Sequence, residues 1–121
     1  MKLFTKNQLH VMKLNAIKQS DANMQGKSFD FHPVVKLFTP WANCTWLLTE
    51  IDEDEETAFG LCDLGLGCPE LGYVSIAELK ELSGPAGLTV ERDRHFKATH
   101  TLSRYAEAAR AHSAIVENLE G

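Results

Sequence analysis

No stretch of the sequence approaches the roughly 20 consecutive apolar residues that a membrane-spanning helix requires, so no helical anchor is expected within these 121 residues. Cysteine is scarce. Cys44, Cys62 and Cys68 are an odd number without a Cys-x-x-Cys pair, which fits neither a disulfide framework nor a zinc knuckle and points to a reducing, cytoplasmic setting. Positive charge is in deficit: 12 Lys and Arg face 17 Asp and Glu, for a formal charge of -5. A chain with that balance has no global basic field to hold phosphates, which counts against nucleic acid as partner.

The first twenty residues, MKLFTKNQLHVMKLNAIKQS, interrupt each apolar run with lysine and offer no small-residue cleavage site, so they do not read as a signal peptide. The Asn43-Cys44-Thr45 sequon is then accidental, because glycosylation needs the secretory route. The glycines of GLCDLGLGCPELG match neither a P-loop nor a dinucleotide fingerprint. His95 with His100, and Cys62 with Cys68, lack a recognised zinc spacing, and no Ser, Cys or Lys sits in a nucleophile motif. Neither a cofactor nor a metal is expected.

What is present is ordinary globular material. Hydrophobic residues make up 44% and charged residues 24%, enough for one core, and the length favours a single domain over residues 1–121. Thr5 is placed to cap a helix over residues 5–20, with Leu9, Met12 and Ala16 on one face, and residues 21–33 carry the turn formers and proline of a loop. From Val34 the apolar period changes to two. VVKLFT, CTWLLTEI, AFGLCDL and GYVSI read as four short strands in a sheet region over 34–92, joined too tightly for crossover helices and so forming an antiparallel meander. A fifth strand follows within GPAGLTVERD, and Ser75 with Glu78 starts a short helix over 76–82. The segment 103–119 gives the clearest amphipathic helix, with Tyr105, Ala109, His112, Val116 and Leu119 on one face. The fold class is therefore α+β: a sheet of four to five strands packed with an N-terminal, a short middle and a C-terminal helix.

Four constellations are candidates for function. Trp41 and Trp46 flank the turn in FTPWANCTWLLTE. Alternation puts Cys44, Trp46, Leu48 and Glu50 on one face of their strand and Thr45, Leu47, Thr49 and Ile51 on the other, so a central strand with Trp46 in the core is expected. Trp41, at a turn, either folds back over the sheet or anchors a partner. The run from Glu50 to Glu56 holds six carboxylates in seven residues. It fails as a calcium loop, because Thr57 stands where the EF-hand turn needs glycine. It is either a solvated hairpin tip or a surface for a basic partner. Asp63, Glu70, Glu91 and Asp93 are the candidate catalytic carboxylates if strands three and five lie close, since converging carboxylates serve acid/base or metal chemistry. The bland alternative is an Arg–carboxylate bridge or a set of turn caps. Arg92, Arg94, Lys97, Arg104 and Arg110 would form a local basic strip for handling DNA.

The ordered strings VVKLFTPWANCTWLLTE, FGLCDLG, PELGYVSIAELKEL, GPAGLTVERDRHF and TLSRY resemble the uncharacterised bacterial family known as domain of unknown function 2958, as far as Tyr105. The resemblance implies a small protein of plasmids, phages or other mobile elements, and it brings no chemistry. Cys44 stands where members often have tryptophan, and the helix beyond Tyr105 is longer than is typical, which suggests a homodimer or partner contact there. The leading reading is a non-enzymatic acidic interaction module, with Trp41, Asp52, Asp54 and Glu55 as its binding residues and a protein as its partner. A counter-defence inhibitor is one form of it. A carboxylate-dependent hydrolase or nuclease and a DNA-handling accessory are the alternatives.

Overall fold

The computed structural model describes residues 2–119. Helix α1 (Lys6–Met24) leads into strands β1 (Val35–Phe38), β2 (Thr45–Ile51), β3 (Thr57–Asp63) and β4 (Glu70–Ser75), then helix α2 (Ile76–Glu81), the two-residue strand β5 (Glu91–Arg92) and helix α3 (Leu102–His112). The sheet is antiparallel in the order β4-β3-β2-β1-β5. The meander and the α+β class expected from the sequence are what the chain adopts. The fifth strand does not lie near the third: it returns to the far side of β1.

Strand β2 is central and buried on both faces, as its composition required. Trp46 and Leu48 join Met12, Val35, Leu37, Ile76 and Leu79 in one cluster, while Leu47 joins Leu61, Leu102, Tyr105 and Ala109 in the other. The alternation of β2 changes at a bulge between Leu48 and Glu50, where Leu48 pairs with Gly60 and Glu50 with Phe59. The inserted residue is Thr49, and it reverses the facing of everything after it. Ile51 therefore packs with Trp46 and Leu48, and Glu50 moves to the face of Leu47, opposite to the simple period-two reading.

Helix α1 starts at a full capping box. The Thr5 hydroxyl accepts from the Gln8 amide at 3.0 Å, and the Gln8 side-chain carbonyl oxygen accepts from the Thr5 amide at 2.9 Å. It runs past the expected end at residue 20 because Ala22 is still buried, and the chain turns only at Gly26, whose φ is 72°. Its amphipathicity is slight for a reason visible in the sheet. Strand β1 pairs with β2 only as far as Val35 opposite Leu48, and beyond that point α1 takes the place of a strand neighbour. Asn15, buried, donates its side-chain amide to the Thr49 carbonyl at 3.0 Å. A helix that seals a strand edge needs a narrow buried stripe and one polar side chain to satisfy the edge, and periodicity reads that pattern poorly.

Helix α3 is shorter than the sequence suggested. It ends at Ser113, whose backbone is left-handed (φ 58°, ψ 20°), and residues 114–119 double back over the same sheet face. The apolar face that suggested a dimer contact is occupied by the molecule's own Leu47 and Leu61. Its N-cap Thr101 makes no capping bond with its own side chain. Asp30, from the loop after α1, does the capping instead: its carboxylate accepts from the Ser103 amide at 3.1 Å and from the Ser103 hydroxyl. Burial works against the Asp30 charge, but these bonds and one from Thr101 outweigh it and hold the carboxyl below its ordinary range. A depressed carboxylate contributes stability that is complete above its unfolded pKa and lost as pH falls through the folded one. Asp30→Ala is expected to cost about 1 kcal/mol at neutral pH. The deficit should vanish in urea titrations repeated progressively below about pH 4.

Candidate functional site

An antiparallel meander sends alternate turns to opposite ends of the sheet. Trp41 lies in the β1–β2 turn and the acid run in the β2–β3 turn, so the length of β2, about 20 Å, separates them. The binding surface expected from Trp41 together with Asp52, Asp54 and Glu55 is therefore not one surface. Trp41 is half-buried and folds back on the chain: its indole lies so closely over Gly84 that a Cβ there would fall 2.3 Å from the ring. Trp46 is buried in the core.

Much of the acid run serves its own hairpin. Asp52 accepts from the Glu56 and Thr57 amides at 2.8 and 3.2 Å, closing the turn. Glu55, with φ at 61°, forms an ion pair with Lys13 of α1 at 2.6 Å. Glu53, Asp54 and Glu56 remain as exposed carboxylates at the tip.

The candidate catalytic carboxylates do not converge. Asp63, Thr45, Phe38 and Glu91 stand in one register row across β3, β2, β1 and β5, which sets Asp63 and Glu91 three strand spacings, roughly 14 Å, apart. Glu70 pairs with Cys62 and so projects from the opposite face to Asp63. Asp63 is buried with its two oxygens taken by the amides of Gly65 (2.9 Å) and Ile115 (3.0 Å). Asp93 accepts from the His95 amide at 2.9 Å and pairs with Lys36 at 3.5 Å. Among the described residues no group of His, Cys, Asp and Glu is arranged to hold a metal ion.

Two of the basic residues expected to form a strip are engaged within the chain. Arg92 donates to the Lys2 carbonyl at 2.8 Å, while Arg104 is bound to Glu107 and to the Leu119 carbonyl. The three cysteines are free, with Cys44 and Cys62 half-buried and Cys68 exposed. Burial pushes the Cys62 thiol up from its ordinary value, away from reactivity.

A concave surface of mixed polar and apolar lining lies elsewhere, at the end of the sheet that carries the acid hairpin. The bulge at Thr49 brings Glu50 into one row with Phe59 and Tyr73, which pair across β2, β3 and β4. Helix α3 covers Leu47 and Leu61, while on β4 Leu71 and Tyr73 are left 43% and 78% exposed. The Phe59 and Tyr73 rings meet edge to face with centroids 5.1 Å apart. Opposite them stand Gln19, Asn23 and the 84% exposed Met24 of α1, and the cleft between measures about 700 Å³. Glu50 forms one wall. Desolvation raises its pKa against hydrogen bonds from Thr49 and Gln19, and among the described residues no cation pairs with it. Strand β4 is also the sheet's long edge, six residues with β3 on one side and, among the described residues, no strand on the other. The opposite edge, β5, has two residues. Sequence reasoning missed Glu50, Phe59 and Tyr73 as a group because the bulge that aligns them leaves no mark in the period.

A family model described as Protein of unknown function (DUF2958) matches residues 3–116. No curated protein and no solved structure is similar enough to match the chain. Among the described residues no helix is long and apolar enough to cross a membrane.

Proposed function

The chain belongs to the family of proteins of unknown function DUF2958, which brings no activity with it, and we propose from its own residues that it is a non-catalytic module binding an extended, basic segment of a protein partner along β4. The observation that carries this reading is the open β4 edge with Leu71 and Tyr73 exposed beside it. An uncovered strand edge offers a row of unpaired amides and carbonyls, and natural proteins blunt such edges with lysine, proline or a short strand unless they use them. Within ELGYVS there is no lysine or proline. Main-chain pairing would supply the affinity and the side chains flanking it the choice of partner. The net charge of -5 and the free carboxylates of Glu53, Asp54 and Glu56 at the same end of the sheet favour a basic segment. The partner's setting, a protein of the bacterial host or of the mobile element itself, follows the family resemblance, and inhibition of a host defence protein is one use of such binding.

The test begins with a partner captured by the tagged chain and purified. Affinity is then measured for the Leu71→Lys, Tyr73→Lys double variant and for Glu53→Lys, Asp54→Lys, Glu56→Lys. Both sets alter exposed positions, so the fold should persist, as circular dichroism would verify. The edge variant is expected to weaken binding about 100-fold, near 2.7 kcal/mol. The charge reversal should act mainly on the association rate and its salt dependence. Affinity of the edge variant within twofold of the parent would reject the proposal.

A further inference from the structure

The cleft behind Tyr73 has a chemistry more particular than a generic protein surface. Its eleven lining residues include two carboxylates, Glu50 and Asp52, and no lysine, arginine or histidine. Asp52 is committed through one oxygen to the hairpin turn. Glu50 accepts from the Thr49 hydroxyl at 3.1 Å but faces a partly desolvated space with no counter-charge among the described residues. Next to it lie two aromatic rings and a thioether: Phe59, Tyr73 and Met24. The cleft near Asp63 and the one near Asp93 both include Lys36, which is already paired with Asp93 and Glu117.

We infer that this cleft is a specificity pocket for an arginine side chain of the segment bound along β4, with the guanidinium at Glu50 and the stem across Tyr73 and Phe59. The inference rests on the edge-binding proposal and names the residue that the edge would select. The row Tyr73–Phe59–Glu50 leads inward from the edge strand, two strand spacings or about 10 Å from first to last. A ligand group entering from the edge meets apolar ring surface first and carboxylate last. That order matches a side chain with an apolar stem and a cationic head. Guanidinium suits it better than ammonium, because a planar, weakly hydrated cation stacks on aromatic faces and bonds carboxylate with two parallel N–H groups. A neutral or acidic side chain in the same place would leave Glu50 partly desolvated and unpaired, so the pocket would discriminate as well as attract. Gln19 is held in place for this role: its side-chain amide exchanges two hydrogen bonds of 2.9 Å with the Phe29 backbone.

The experiment is an NMR titration of the whole chain with N-acetyl-arginine amide, and with the citrulline analogue, which keeps the shape and loses the charge. The arginine derivative is expected to shift the amides of Gln19, Glu50, Phe59 and Tyr73 along a saturating curve with a Kd of about 1–10 mM. The citrulline compound should bind at least tenfold more weakly. Glu50→Gln should abolish the difference, and Tyr73→Ala, at an exposed position, should weaken binding of arginine with the fold intact. The inference fails if the curve does not saturate by about 50 mM, if citrulline binds equally, or if the shifts centre on Glu53 and Asp54, which would mean diffuse attraction to the hairpin tip. The two readings separate cleanly. A partner that responds to Leu71→Lys and Tyr73→Lys but not to Glu50→Gln leaves the edge proposal standing and removes the pocket. A partner indifferent to the edge variants removes the edge proposal, whatever the titration shows.

Discussion

Gly60→Ala is expected to unfold the protein or to cost about 4 kcal/mol or more, which places it in the exceptional tail of single substitutions. A Cβ built on Gly60 would lie 2.0 Å from the Leu47 carbonyl oxygen and 2.8 Å from the Leu48 Cα. Those are backbone atoms of the central strand, so relief requires moving β2 itself rather than turning a side chain. Strand β2 cannot yield easily, since Leu47 and Leu48 are buried in opposite cores. The bulge lies immediately beside this register position, and a glycine inside a strand commonly marks a bulge or a close backbone approach. The partner of Gly60 across the next strand pair supplies the control. Gly72 stands opposite Gly60 on β4, has no other atom within 4 Å of the place a methyl group would take, and lacks a positive φ. Gly72→Ala is expected to be neutral or to stabilise by roughly 0.5 kcal/mol through the lost freedom of the unfolded chain. Urea midpoints for the two variants decide it. Equal midpoints would show that β2 and β3 separate more readily than the close approach implies.

The pair also shows where sequence reading reaches its limit. Both glycines sit inside runs of strand character, and composition cannot tell them apart. The four-strand meander was legible because Pro40, Asn43, the acid run and the glycines of residues 65–67 leave connections too short for anything but hairpins. The burial of β2 on both faces was legible because Trp46, Leu47, Leu48 and Ile51 give it two apolar sides. The bulge was not, since one inserted residue is a property of pairing rather than of either strand. It moved Glu50 across the sheet, into one row with Phe59 and Tyr73. The pairing of β5 with β1 was equally hidden, because two residues carry no periodic signal. The separation of Trp41 from the acid run, by contrast, followed from the meander itself and required only that alternate turns be assigned to alternate ends.

Asp63→Asn is expected to destabilise the fold by about 1–3 kcal/mol, since two part-buried backbone donors depend on that buried carboxylate. The Gly65 amide donates to one oxygen and the Ile115 amide to the other, at 2.9 and 3.0 Å. Asparagine keeps the shape but offers a single oxygen, and its NH₂ group would then face an amide that also donates. One part-buried N–H is left without its acceptor. The consequence extends beyond the bond, because Ile115 belongs to the segment that returns over the sheet after Ser113 and places Ile115, Val116 and Leu119 against Leu47 and Leu61. Further ties of that segment include Lys36 with Glu117 at 2.6 Å and Arg104 with the Leu119 carbonyl at 3.2 Å. Breaking the exposed ion pair alone, by Glu117→Gln, should cost under about 1 kcal/mol. Hydrogen exchange distinguishes local release from general weakening. In Asp63→Asn the amides of Gly65 and Ile115 should lose protection at a lower free energy than the β2 and β3 amides, as a segment that opens by itself does. An Asp63→Asn chain as stable as the parent would show that the tail holds without the carboxylate. The burial of Asp63 would then call for a chemical reason, and the catalytic reading of that residue would return with it.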